Sequence, residues 1–372
     1  MRVLIAAGGT AGHINPALAI AGAIQDKFPG AEIHFAGRRE GMEYGLVTEA
    51  GYPFHHIEVN GIQRRLTPEN IIRNVKALWH LALSGPRAKA IMKEVQPDLV
   101  IGCGGYVSGP VVRCASKMGI KTAIHEQNAF PGVTNKLLAK GATVVFAAVP
   151  GAVERLGVPG KTMVVGNPVR PEIFAQDRRS ARQALGLSED QLVVLSFGGS
   201  LGARRINEVV ADLAAWNQKE KKGLFQIHAT GSRGVQLFRN LAKEKGFDLE
   251  KMMVKEYIQD MPQMLAAADL VISRAGALTL AELEAVGRAA ILIPSPNVAE
   301  NHQYYNALEL EKAGAAQVIE EKDLTGAKLI QTVEQLTADR AELMVMGRKA
   351  QSLAQPDSLD LITGKLKEIL NH

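Results

Sequence analysis

The chain has 372 residues, 47% hydrophobic and 22% charged, a globular composition long enough for two domains of roughly 150 residues each, which excludes a stapled mini-protein, a disordered chain and a membrane bundle. Its two cysteines, Cys103 and Cys114, are too few for a disulfide framework and lack the Cys/His clustering of a structural zinc site, so a reducing compartment is expected. The net charge of +5 is uneven: residues 1 to 170 hold 19 basic and 11 acidic side chains, and residues 171 to 372 hold 24 and 27, which points to an anionic partner for the first half, be it lipid head groups, phosphates or nucleic acid.

The apolar opening Val3 to Ala7 runs straight into Gly8-Gly9 and reads as a first strand rather than an export signal. No apolar run reaches the ~18 residues needed to cross a bilayer, so any membrane contact is expected to be peripheral. Strand-like runs recur at Ile33 to Ala36, Leu99 to Gly102, Thr122 to His125 and Thr143 to Ala147, with helical stretches between them, the alternation of a parallel α/β sheet. Within this half, Thr67-Pro68 marks a helix start, and Ile71, Val75, Leu78 and Ala82 follow helical spacing with Trp79 alongside. Arg64, Arg65, Arg73 and Lys76 flank that stripe, a pattern that suits an interfacial helix on anionic lipid, while a stripe at this spacing also serves a core face.

Gly166-Asn167-Pro168-Val169-Arg170-Pro171 breaks the pattern and reads as a linker. Strands then restart at Leu192 to Phe197 and continue at Phe225 to Ala229, Leu270 to Ser273 and Ala290 to Pro294. Both halves open alike, a strand followed by Gly8-Gly9-Thr10-Ala11-Gly12 or by Gly198-Gly199-Ser200-Leu201-Gly202. Two doubly wound α/β domains are therefore expected, 1–168 and 169–353, facing across a cleft at the carboxyl ends of their sheets, where such folds bind ligands. The last helical stretch, about 354–372, can pack on either domain and is assigned to the first.

A glycine turn between strand and helix presents backbone N–H groups that suit phosphate. The first loop is G-G-x-x-G rather than the dinucleotide fingerprint G-x-G-x-x-G, although Gly37-Arg38-Arg39 after the second strand leaves an NADP enzyme as a weak alternative. The sharper signal is Ser273 to Glu282, a strand, a small-residue turn and a helix start. Amides near Gly276 can hold a diphosphate, and Glu282 on the helix can accept from two vicinal ribose hydroxyls. Taken alone, Glu282 reads more readily as an exposed helix acid.

Six ordered motifs spread over nearly the whole chain together resemble the MurG family: Gly8 to Pro16, Cys103 to Pro110, His125 to Asn128, Gly166 to Arg170, Gly198 to Ser200 and Arg274 to Ala277. That family transfers N-acetylglucosamine from UDP-GlcNAc to undecaprenyl-pyrophosphoryl-MurNAc-pentapeptide, converting lipid I into lipid II in peptidoglycan synthesis. The resemblance implies the GT-B glycosyltransferase fold, with the donor bound mainly by the C-terminal domain. It further implies that Ser200, Arg170 and Asn128 reach the donor diphosphate, with Thr10, Ala11 and Gly12 of the first loop. Ala277, Leu278 and Thr279 would join them, Ile258 would meet uracil through its backbone, Glu282 the ribose and Gln303 the donor sugar. Family members often carry Gly at the position of Ala11, and the methyl narrows the backbone's options there. Gly104, Gly105, Tyr106 and Ser108 would approach the acceptor pyrophosphate; a tight turn after a buried strand is the other reading of that loop. Lipid I, an anionic membrane surface at the cytoplasmic face and other proteins of wall synthesis or division are the implied partners, with no cofactor and no nucleic acid.

Transfer to a sugar hydroxyl needs a base and something to neutralise the departing UDP. His13 is the leading base, since an imidazole near its unperturbed pKa of ~6.5 accepts a proton at neutral pH; a helix-start histidine that only orders its loop is the other reading. Glu126 is the competing acid-base candidate, against loop hydrogen bonding. The sequence has no D-x-D pair for a divalent metal, so leaving-group charge falls on helix N-termini, Ser200 and Arg170. No covalent nucleophile stands out, which favours one-step inversion. A UDP-sugar epimerase of the same fold and a non-catalytic nucleotide-sugar scaffold are the alternatives, and a nucleic-acid binder is disfavoured for want of a stacking platform.

Overall fold

The computed structural model describes residues 1–59 and 84–371, in two units: Met1–Pro168 with Asp357–His372, and Val169–Pro356. The first unit carries β1 (Arg2–Ala6), β2 (Glu32–Gly37), β3 (Phe54–His56), β4 (Leu99–Gly102), β5 (Lys121–Glu126), β6 (Val144–Ala147) and β7 (Thr162–Val164), paired in the order β3-β2-β1-β4-β5-β6-β7. The second carries β8 (Val193–Phe197), β9 (Phe225–Ala229), β10 (Met253–Lys255), β11 (Leu270–Ser273), β12 (Ala289–Leu292) and β13 (Ala316–Val318), in the order β10-β9-β8-β11-β12-β13. Pairing is parallel throughout, from β1 with β2 and β4 to β12 with β13. Each sheet reverses its winding at its first strand, and in such sheets ligands sit outside the carboxyl ends at that reversal.

Strands covered on both faces must be apolar on both, which is why β1 reads Val3-Leu4-Ile5 and β8 reads Val193-Val194-Leu195, all buried. One face of the first sheet packs Val3 and Ile5 against Ile14, Ile20 and Ile24 of the helix Ala11–Lys27. The opposite face packs Leu4 and Ala6 against Ile91 of the helix over 84–95 and Val111 of the helix Ser108–Lys117.

The chain leaves the first unit at Pro168 and returns to it at Asp357. Its last helix, Ser358–Asn371, buries Ile362, Leu366 and Ile369 in the same core cluster as Ile14 and Ile24. Apolar burial holds it there, since the accompanying Lys27–Asp360 ion pair, 2.9 Å long, is exposed and adds little. The expected interfacial residues Arg64, Arg65, Arg73, Lys76 and Trp79 lie outside the described residues. Among the described residues no helix is long and apolar enough to cross a membrane.

Candidate functional site

Register brings the first loops together. Ala6 of β1 is the partner of Gly102 of β4, so the turns leaving these strands meet at the switch point of the first sheet. The approach is close enough to require glycine: Gly105 has φ +78°, and a Cβ there would lie 2.2 Å from the Gly8 carbonyl oxygen. Gly104, at φ +102°, underlies the His13 ring, whose Cδ2 a Cβ would meet at 2.6 Å.

His13 lies in the first turn of the helix that starts at Ala11, with its Nδ1 3.1 Å from the Gly8 carbonyl oxygen and 3.2 Å from Thr10 Oγ1. A carbonyl only accepts, so Nδ1 carries the proton and Nε2 is the basic nitrogen of the neutral ring. Thr10 anchors the same turn through its carbonyl, which accepts from His13 and Ile14 N–H. Ala11 and Gly12 are the first two residues of the helix, and Gly12 is exposed.

Two of the expected residues in this unit are buried in hydrogen-bond networks. Glu126 is buried, and its carboxylate accepts from Asn128 N–H at 3.0 Å, Asn128 Nδ2 at 3.1 Å, Gly132 N–H at 3.1 Å and Asn135 Nδ2 at 2.8 Å. Burial pushes its carboxyl above the usual range while these donors pull it back. With both oxygens committed, Glu126 holds the turn that carries Asn128, the loop hydrogen bonding that was its other reading. Ser108 is also buried, its hydroxyl 2.8 Å from the carbonyl oxygens of both Ala6 and Gly104 and accepting from Gly104 N–H at 3.1 Å, so it ties the loop to β1. Tyr106, by contrast, is exposed. His125 is a third buried group, pushed down to about 4 by burial, with Nε2 donating to the Gly166 carbonyl and Nδ1 accepting from Gln127. It spaces the chain and carries no charge at neutral pH.

One residue of this site carries no signal in the sequence. Glu43, on the short helix Met42–Glu49, is buried with Oε2 3.3 Å from Gly9 N–H and Oε1 3.1 Å from Arg38 N–H.

The second unit repeats the arrangement at β8 and β11, where Phe197 is the partner of Ser273. Gly202 has φ +80°, and a Cβ there would lie 2.1 Å from the Thr230 carbonyl oxygen. A cavity of about 460 Å³ opens at this switch point, lined by Gly199, Gly276, Thr279, Ser295, Asn297 and Gln303 among others, a size suited to a small ligand. Arg204, Arg205 and Arg274 also line it. Arg204 and Arg205 pair with Glu208, while Arg274 pairs with Glu321 and donates to the carbonyls of Ile293 and Pro294, which fixes the turn beside Gly276.

Ala277, Leu278 and Thr279 form the first turn of the helix Ala277–Val286, which follows directly on Gly276. Glu282 lies one turn on, 3.6 Å from Arg170. Burial raises its carboxyl above the ordinary value, and Arg170 lowers it again. Gln303 is oriented by Ser295 N–H, which donates to its Oε1 at 2.8 Å. Ser200 is exposed on the loop after β8, and Ile258 is buried in the cluster that holds Phe197 and Ala275. Thr10, Ala11, Gly12, Asn128 and His13 thus belong to the first unit, and the cavity residues to the second. Among the described residues, no group of three or more His, Cys, Asp and Glu could hold a metal ion.

The glycosyltransferase family 28 N-terminal domain matches residues 3–147, and the family 28 C-terminal domain matches residues 193–362, so the chain is a glycosyltransferase of the GT-B class with two Rossmann-like domains. The UDP-N-acetylglucosamine–N-acetylmuramyl-(pentapeptide) pyrophosphoryl-undecaprenol N-acetylglucosamine transferase of Desulforamulus reducens is 42% identical over 100% of this chain and 99% of its own. A crystal structure of Acinetobacter baumannii MurG superposes with a TM-score of 0.78 at 30% identity, covering 99% of both chains. The chain belongs to the MurG family. A UDP-GlcNAc 2-epimerase from Neisseria meningitidis, solved with UDP-GlcNAc bound, has a TM-score of 0.67 at 13% identity over 99% of this chain and 100% of its own, and so shares the fold alone.

Proposed function

We propose that the protein transfers N-acetylglucosamine from UDP-GlcNAc to the MurNAc 4-hydroxyl of undecaprenyl-pyrophosphoryl-MurNAc-pentapeptide, with inversion at the anomeric carbon and without a metal. The substrates are assigned from full-length identity to enzymes that carry this name. The chemistry rests on one observation, the bond from His13 Nδ1 to the Gly8 carbonyl, which makes Nε2 the proton acceptor. As the acceptor oxygen attacks C1 of the donor sugar, its proton passes to His13 Nε2, and the bond from C1 to the phosphate oxygen breaks with its electron pair leaving on UDP. Amides at Gly199 and Ser200, the helix start at Ala277 to Thr279 and Arg170 are the groups assigned to that charge. Glu282 takes the ribose hydroxyls, Gln303 the donor sugar and the Ile258 main chain the uracil; Thr10, Ala11, Gly12 and Asn128 complete the donor contacts from the first unit. Gly104, Gly105 and Tyr106 border the acceptor, with the glycines set there by the backbone approach to Gly8 and His13. The acceptor is lipid-linked, so the reaction is assigned to the cytoplasmic face of the membrane, reached peripherally through the basic stretch around Trp79. Direct displacement inverts configuration, so the proton NMR spectrum of the product is expected to show a β-linked GlcNAc on O4 of MurNAc. An α-linked product would contradict the one-step route.

A further inference from the structure

We propose that Glu43 is a positioning residue that sets the tautomer and basicity of His13 through the Gly8–Gly9 peptide group. The inference rests on His13 acting as the base. The N–H of Gly9 and the carbonyl of Gly8 belong to one planar peptide unit. Glu43 Oε2 accepts the N–H at 3.3 Å, and the carbonyl faces His13 Nδ1 at 3.1 Å. A negative carboxylate on the N–H side polarises the unit and makes its oxygen a stronger acceptor. The proton is thereby held on Nδ1, and the imidazolium formed when Nε2 takes the acceptor proton is stabilised.

The surroundings are shaped around this carboxylate. A Cβ on Gly8 would lie 2.7 Å from Glu43 Oε1, on Gly37 2.8 Å from its Cγ, and on Gly41 2.2 Å from Oε2. Three glycines, Gly8 after β1 and Gly37 and Gly41 at the two ends of the turn that leads from β2 into the helix of Glu43, therefore make room for one buried acid. Both of its oxygens accept backbone N–H groups, from Gly9 and from Arg38. Ordinary turn closure needs no charge in such a place, and burying one is costly unless it is paired in this way.

Other titratable groups stand on the segments around the loop. Cys103 is a buried thiol pushed up to about 12 and stays neutral. Tyr106, beside Gly105, is exposed. Arg38, Arg39 and Glu40 occupy the turn after β2, where the Arg39 N–H donates to His56 Nδ1. Glu43 is the acid whose atoms reach the loop backbone next to His13.

The test combines 15N-histidine NMR with kinetics on the full-length enzyme. In the wild type, the neutral His13 ring is expected to be protonated on Nδ1; an Nε2-protonated ring would overturn the proposal whatever the variants do. In Glu43→Gln, the His13 titration and the acidic limb of kcat are expected to move together by about one pH unit to lower pH, with kcat down about tenfold and KM for UDP-GlcNAc within about twofold. Glu43→Asp, which keeps the charge, is expected to move both less. A merely structural acid would lower kcat or stability while leaving the His13 titration where it was, and that result would refute the coupling. If Glu43→Gln fails to fold, the wild-type tautomer and the Glu43→Asp titration decide. Full kcat in His13→Ala would remove the base assignment, while the His13 titration in the Glu43 variants would still report the coupling.

Discussion

Arg170 lies 3.6 Å from Glu282, and the proposed chemistry gives a donor group to each: the anionic diphosphate to Arg170 and the neutral ribose hydroxyls to Glu282. A charged hydrogen bond of this kind contributes about 1.5–3 kcal/mol, so Glu282→Ala is expected to raise KM for UDP-GlcNAc roughly ten- to hundredfold with a smaller change in kcat at saturating donor. Steady-state kinetics with varied donor check this; an unchanged KM would remove Glu282 from the ribose site. Glu282 and Gln303 could be singled out in the sequence because a small-residue turn and helix start precede Glu282 and a family motif carries Gln303. The hydrogen-bond networks of Glu126 and Ser108, and Glu43 altogether, were not legible for a common reason. Their roles depend on which backbone N–H and carbonyl groups lie within 3.3 Å across the fold, and sequence spacing does not report that. Glu43 in particular looks like an ordinary acid in the first turn of a helix, where the dipole favours it.

At the level of elements, the central strands were readable as unbroken apolar runs: Leu99–Gly102, Phe225–Ala229 and Leu270–Ser273 begin and end at the residues expected. The edge strands β3, β7, β10 and β13 were not, because each has three residues and carries no periodicity of its own. Their pairing is dictated by the neighbouring strand, as when Phe54–His56 aligns with Phe35–Gly37. The last helix had the right amphipathic pattern, but the pattern alone does not say which surface covers it. Leu366, 1% exposed, packs in the cluster that holds Ile14, Ile20 and Ile24. Leu366→Ala is expected to cost about 2–5 kcal/mol in urea unfolding. A loss below about 1 kcal/mol would mean that this helix contributes little to the first unit's core.

For the whole molecule, the duplicated α/β plan was legible because both halves repeat strand, glycine turn and helix, and both sheets reverse at their first strand. The charge asymmetry belongs to this scale too, with the positive excess in residues 1 to 170. Each basic side chain near an anionic surface adds about 1 kcal/mol of attraction. Replacing Arg64, Arg65, Arg73 and Lys76 with Glu is therefore expected to weaken co-sedimentation with anionic vesicles, and unchanged sedimentation would reject this stretch as the membrane contact. The proposed reaction is a metal-independent transfer to a lipid-linked acceptor. Its most direct test is UDP release from UDP-GlcNAc in EDTA, with and without a soluble lipid I analogue, with UDP-GalNAc as the competing donor. Release from UDP-GlcNAc that depends on the acceptor and persists in EDTA is the predicted result. Release that ignores the acceptor, or that stops until a divalent metal is restored, would contradict it.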